Sequence, residues 1–331
     1  MMPHAFDVAA LGNAIVDVIA STGDDFLLTH NIAKGVMTLI DEHRARQLYD
    51  LLPEGRESAG GSAANTLAGV ASFGGQGLFV GKVKDDRLGE SFAASMAQTN
   101  IRYTTPKAVD GPATACCLIA VTADGQRSMN TYLGASRELA PDDIVPDDIA
   151  KAQVLYIEGY LWDQPHAKKA ITRAIEAAKK AGRKVALTLS DPFCVGRYRD
   201  EFRALWKNDI DILFANEEEA KALFETDQFD DALQAVHGWN GIAALTRSAK
   251  GCVIAKGAEV HVLDAMPVAR VVDTTGAGDQ FAAGFLYGLT HGKSLEVSGR
   301  LATAAAAEVI SHYGARPETA LATVAAKAGL V

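Results

Sequence analysis

Apolar positions along the chain fall into two rhythms. Short unbroken runs rich in Val, Ile and Leu occur at 154–157, 184–189, 212–215 and 242–246, and read as strands buried on both faces. Between them, 164–181, 197–206, 217–223 and 230–237 repeat apolar residues at helical spacing. Such alternation predicts a mostly parallel sheet with helices on both sides. The N-terminal part adds strand-like runs at 6–11, 15–21, 36–40 and 78–83, and helices at 42–52, 63–73 and 87–98. Residues 101–133 have a different texture: a β-rich run at 113–122, the Asp124-Gly125 turn signal, and a second strand at 127–133. This reads as an antiparallel insertion. Towards the C-terminus, 252–256 and 259–263 form a hairpin around Gly257, and helices follow at 278–290, 295–311 and 318–328. With no repeat, linker or low-complexity tail, the expectation is a single domain over 1–331.

Composition narrows the function classes. Lys and Arg number 32 against 41 Asp and Glu, a net charge of −9, which argues against a nucleic-acid or anionic-membrane surface. The uncharged run 58–81 is long enough to span a bilayer, but its seven glycines and Ser62, Asn65, Thr66, Ser72 and Gln76 make it too polar. Cys116, Cys117, Cys194 and Cys252 show no C-x-x-C spacing, and the N-terminus lacks a basic leader pattern. A reduced, cytoplasmic setting is expected.

Three common fingerprints fail. Gly292-Lys293-Ser294 ends like a phosphate-binding P-loop, but Tyr287 stands where its first glycine is required. Gly276-Ala277-Gly278 does not continue as a dinucleotide fingerprint, and the eight histidines lack metal-ligand spacing. What remains is Asp273-Thr274-Thr275-Gly276-Ala277-Gly278-Asp279, after a strand-like run at 269–272 and at the start of a long helix. Small residues there let a ligand approach the backbone, and free amides at a helix start attract anions. Asp279 is then either an acid favoured by the helix dipole or a general base beside a bound phosphate.

The full string resembles the signature of the ribokinase (PfkB) family of carbohydrate and nucleoside kinases. Further landmarks stand in order: Gly12-Asn13-Ala14-Ile15-Val16-Asp17, Gly60-Gly61-Ser62-Ala63-Ala64-Asn65, and Asn216-Glu217-Glu218-Glu219. The resemblance implies a ribokinase-like three-layer αβα core, a mostly parallel central sheet and a small β-sheet lid from insertions at about 13–41 and 101–135. It implies Asp279 as base, with the amides of Gly276, Ala277 and Gly278 stabilising the transferring charge. Asn13, Asp17, Gly60, Gly61 and Asn65 would hold ribose hydroxyls. Read without it, Asp17 is a solvent-facing strand residue and Asn65 a polar residue on an exposed helix side. Thr246, Ser248 and Gly251 would belong to the nucleotide loop, although Ser248 replaces a usual glycine and bears a cost if φ is positive there. Asn216 and Glu219 would organise Mg²⁺ largely through water. Their spacing equally fits a helix cap. ATP is the implied phosphate donor, and a monovalent cation such as K⁺ is implied at Asp273 and Thr275.

Two segments resemble the adenosine kinases within this family: Thr188-Leu189-Ser190-Asp191-Pro192-Phe193 and Arg127-Ser128-Met129-Asn130-Thr131-Tyr132-Leu133. They imply a purine slot from Leu39, Met129, Thr131 and Leu133, with Tyr160 or Trp162 nearby. Read alone, Met129 and Leu133 are ordinary core positions. The expected reaction is phosphoryl transfer from ATP to a ribose 5′-hydroxyl, with adenosine as acceptor. A sugar kinase for ribose or fructose, and a non-catalytic sugar- or nucleoside-binding regulator, are the alternatives. A monomer or homodimer acting on a small molecule is expected.

Overall fold

The computed structural model describes residues 4–330, so residues 1–3 and 331 of the expected domain lie outside the description. The chain-order strands are β1 (Phe6–Leu11), β2 (Ile15–Ser21), β3 (Met37–Leu39), β4 (Arg56–Gly60), β5 (Gly77–Val80), β6 (Ile101–Tyr103) and β7 (Ala115–Val121). They continue as β8 (Arg127–Tyr132), β9 (Ala152–Glu158), β10 (Lys184–Thr188), β11 (Ile212–Asn216), β12 (Ile242–Thr246), β13 (Cys252–Lys256) and β14 (Glu259–Leu263). Nine of them form one sheet, in the order β14-β13-β12-β11-β10-β9-β1-β5-β6. It is parallel from β6 to β12, and β13 and β14 close it as an antiparallel hairpin.

The strands are apolar throughout because helices cover both faces. On one face, Val8, Ala10, Val154, Tyr156 and Phe214 pack with helices Ser62–Ser72, Ala277–Thr290 and Leu295–Val309. On the other, Leu11, Leu155, Ile157, Leu187 and Leu213 pack with helices Pro165–Lys180, Pro192–Asn208 and Glu217–Phe224. This gives the three-layer core expected from the alternation.

The remaining five strands make a second sheet, ordered β3-β8-β7-β2-β4. Its β7–β8 hairpin turns at Gly125, where φ is +81°. The lid therefore differs from the expected insertions. Its first excursion continues past residue 41 to Gly60, because β4 pairs antiparallel with β2. In the second, residues 101–103 belong to the large sheet, where β6 pairs with β5.

Register sets the lid's inner face. Leu39 pairs with Thr131, Thr131 with Cys117, Cys117 with Asp17, and Asp17 with Ser58. The neighbouring row is Met37, Met129, Ile119, Ile19 and Arg56. Side chains paired across a ladder share a face, so Asp17, Met129, Thr131 and Leu39 share one surface. Residues 269–272 are not a strand. They run irregularly beside the end of helix Leu295–Val309, with Val272 N–H donating to Ile310 O at 2.8 Å.

Candidate active site

Helix Ala277–Thr290 begins at Gly276, which has φ +80°. A Cβ there would meet Ala315 Cα and O at 2.6 Å, so only glycine fits. At Gly278 a Cβ would meet nothing within 4 Å, because this turn faces open space. Ala277 N–H donates to Thr274 O at 3.2 Å. The amides of Gly276 and Gly278 have no protein acceptor among the described residues, so two of the three expected amides are free.

Asp279 follows on the first turn. Ser62 Oγ donates to its Oδ1 at 2.6 Å, and Asn65 Nδ2 to its Oδ2 at 3.3 Å. Both donors lie at the start of helix Ser62–Ser72, which opens after Gly61 at φ +93°. Burial pushes Asp279 up to about 6, against the lowering effect of Ser62 and Asn65.

Asp279 stands between two spaces. A cavity of about 350 Å³ is lined by Asp279, Ser62, Tyr160, Thr188, Ser190, Asn216, Glu219 and Thr246. It adjoins an apolar cavity of about 580 Å³, which shares Thr246, Thr274, Ala277, Gly278 and Phe281 with it and adds Ser248, Gly251, Val268, Val271 and Ile310. On the other side lies a polar cavity of about 620 Å³, whose lining includes Asp17, Ile19, Arg56, Asn65, Arg127 and Arg316.

The expected residues therefore divide. Asp17 lines the polar cavity rather than facing solvent. Burial raises it to about 6, with Arg316 and Arg127 opposing and Asp279 adding to the rise. Asn65 is 6% exposed, so the exposed-helix alternative does not hold. Gly60 and Gly61 are backbone necessities, since a Cβ would collide with the Asp17 carboxylate at 60 and with Asn13 O at 61. Asn13 is turned inward: its Nδ2 donates to Glu158 Oε1 at 2.8 Å, and it lines neither flanking cavity. Met129 is half-buried, Leu39 is 62% exposed, and Leu133 lies just past β8. Tyr160 reaches the 350 Å³ cavity, whereas Trp162 is buried in the opposite core and donates to Glu201.

Asn216 and Glu219 form the cap that their spacing allowed. Glu219 N–H donates to Asn216 Oδ1 at 2.8 Å, while Asn216 N–H and Nδ2 donate to the Glu219 carboxylate at 2.9 and 2.7 Å. Burial raises Glu219 to about 7, against the Asn216 backbone amide. Ser248 has φ +50°, so serine does occupy a strained position in the loop between β12 and β13. Lys84 donates to Gly111 O and lines none of these cavities.

The monovalent-cation ligands expected at Asp273 and Thr275 are otherwise engaged. Asp273 Oδ1 accepts from Thr275 N–H and Oγ1 at 2.9 and 2.7 Å. Its Oδ2 accepts from Gly314 N–H at 3.0 Å and Arg127 Nη1 at 2.5 Å. Both ion-pair side chains are 8% exposed. The Asp273 carboxylate is thus neutralised by a guanidinium and holds four donors, which leaves a cation at this loop only the backbone oxygens.

Glu158 and Arg316 were invisible in the motifs, and Arg127 stood in one without a role of its own. Glu158, 1% exposed and raised to about 7 by burial, accepts from Asn13 and from Ala63 N–H. Arg127 carries the β8 end of the lid to Asp273. Arg316 donates Nε to Asn65 Oδ1 at 3.3 Å.

The sequence profile of the pfkB family carbohydrate kinases matches residues 37–320. An adenosine kinase from Sinorhizobium meliloti is similar in structure with a TM-score of 0.88 and 49% identity, over 98% of this chain and 99% of that one. A probable sugar kinase from Rhizobium etli gives 0.90 and 48%, over 99% and 100%. The adenosine kinase of Saccharomyces cerevisiae is 27% identical over 88% of this chain and 91% of that protein.

Proposed function

Because the chain belongs to the pfkB family of carbohydrate kinases, we propose that it transfers the γ-phosphate of ATP to the 5′-hydroxyl of adenosine, giving AMP and ADP. The observation that carries this is the position of Asp279: it lines the 350 Å³ cavity that adjoins the apolar one, and its hydrogen-bond partner Asn65 lines the polar cavity with Asp17. The apolar walls from Val268, Val271, Phe281 and Ile310 suit the donor's purine ring. Acceptor hydroxyls both donate and accept, which suits Asp17 and Asn65. The lid face with Met129 and Leu39 beside Asp17 supports a flat apolar partner, the acceptor's purine. Similarity to adenosine kinases supports the same choice.

Asp279 takes the proton of the attacking hydroxyl as the new O–P bond forms, and the bond to ADP breaks on the opposite side. The amides of Gly276 and Gly278 meet the charge on the transferring phosphoryl oxygens. Asp279 is ionised at neutral pH yet close enough to neutrality to accept a proton. Among the described residues no three His, Cys, Asp or Glu gather tightly enough to grip a metal directly. Glu219 and Asn216 in the 350 Å³ cavity instead fit Mg²⁺ held through its own waters. Held there with ATP, the ion would supply neutralisation of the phosphate charge.

ADP release measured against a panel of nucleosides and free sugars tests this. Adenosine should give the highest kcat/KM. A preference for ribose or fructose would establish the sugar-kinase alternative, and ATP-independent binding without turnover would establish the regulator.

A further inference from the structure

Arg316 is a charged residue with no direct ion pair among the described residues, Asp17 acting on it only at longer range. No carboxylate among the described residues lies within 4 Å of it, and its Nη2 is buried with no hydrogen-bond acceptor. Its other nitrogens go to neutral oxygens: Nε to Asn65 Oδ1 at 3.3 Å and Nη1 to Ser95 Oγ at 3.4 Å. Burial pulls the guanidinium down to about 10, with Asp17 acting the other way. Burying an unpaired guanidinium is unfavourable, and a purely structural residue would be better placed beside an acid.

Its position is nonetheless tightly determined. Gln280 Nε2 donates to both Asn65 O and Ala315 O, at 3.0 and 2.9 Å, joining the loop before Arg316 to the two helices that flank Asp279. Gly276 packs directly on Ala315. The result is a continuous chain: guanidinium to Asn65 oxygen, then Asn65 nitrogen to the Asp279 carboxylate. An asparagine amide can turn over and exchange its oxygen and nitrogen. With Arg316 against the oxygen, turning would set NH₂ against a cation and oxygen against an anion.

We propose that Arg316 is a positioning residue that locks the Asn65 amide in the one orientation that donates to Asp279, keeping the base ionised and aimed. This rests on the reading of Asp279 as base. Without Arg316 the amide is free to turn, and its oxygen would raise the proton affinity of Asp279. Other titratable groups facing Asp279 are Asp17, Glu158, Tyr156 and Tyr160. None of them bonds the Asn65 side chain.

The test compares Arg316→Ala, Arg316→Lys and Arg316→Gln with wild type, in kcat and in its pH profile, per folded molecule. Arg316→Ala should lower kcat about tenfold, as for loss of a charge-assisted bond, with the KM for ATP unchanged. The acid limb should move up by about half a pH unit or more. Arg316→Lys should restore most of kcat, and Arg316→Gln, which keeps a donor without charge and covers the case of an unfolded alanine variant, should fall between. An acid limb at its wild-type pH in both Ala and Gln variants would overturn the proposal, even if Tm drops. Asp279→Asn is assayed in parallel. If it retains normal kcat, the base reading itself fails, and that result is distinguishable from a failure of Arg316 alone.

Discussion

At the scale of single residues, the site is a set of carboxylates held close to neutrality. Asp279→Asn keeps its shape but cannot take a proton, so kcat should fall by about 10²–10⁴ while ATP affinity, measured by calorimetry, stays close to wild type. Because Asp279 must be ionised and its carboxyl sits near 6, the kcat profile should lose activity as pH falls through about 6, instead of near the usual aspartate value. Asp17→Ala should raise the KM for the acceptor strongly and leave that for ATP nearly unchanged. An equal effect on both would place Asp17 outside the acceptor site. The residues named by short motifs, Asp279, Asp17 and Asn65, were legible because their neighbours in sequence mark them. Glu158 and Arg316 were not, since they reach their partners Asn13 and Asn65 across 145 and 251 residues. No local pattern encodes such a pairing.

At the scale of elements, buried strands and amphipathic helices were readable wherever one periodicity ran uninterrupted. The short elements escaped. β4 carries Arg56, Glu57 and Ser58 and reads as a loop, because what makes it a strand is its ladder to β2, a partner distant in sequence. Helix Pro192–Asn208 was expected only from 197. Its true start is capped by Asp191, which accepts from Phe193 and Cys194 N–H at 2.8 and 3.0 Å, and Tyr198 breaks the helical geometry just after. Residues 269–272 have strand-like side chains but no free strand to pair with. The lid carries the prediction at this scale. Met129→Asp would put a charge on the face shared with Leu39 and Asp17, which is costly once a ligand dries the slot. Adenosine affinity should collapse and any ribose activity should suffer less. Equal losses, or none, would remove the purine from this face.

At the scale of the whole molecule, the αβα layering followed from the alternation, and the second sheet only in part, because its five strands come from separate stretches. Asp17, Glu158, Glu219 and Asp279 all have folded-state values raised to about 6 or 7. Between pH 5 and 8 the folded chain therefore binds more protons than the unfolded one, and stability falls as pH rises through that window. Carboxylates held below their usual range, such as Asp124, act in the opposite direction only at lower pH. Tm by calorimetry should be higher at pH 5.5 than at pH 8, opposite to the trend expected for kcat, and Asp279→Asn should raise Tm more at pH 8 than at pH 5.5. A flat Tm across the window would contradict this. The origin of the lid strands has a last consequence, for inheritance and recombination. β2, β3 and β4 precede β5 and β6 of the large sheet, and β7 and β8 follow them. The lid is thus no cassette that could pass from one kinase to another without strands of the large sheet. A chimera joined with a relative between residues 61 and 114 would receive β2 from one parent and β7 from the other, and the register that brings Asp17 opposite Cys117 would have to be met by strands that never evolved together. A junction beyond about residue 140 transfers the lid whole. New acceptor preferences should therefore be inherited with the entire stretch up to about residue 140, or not at all.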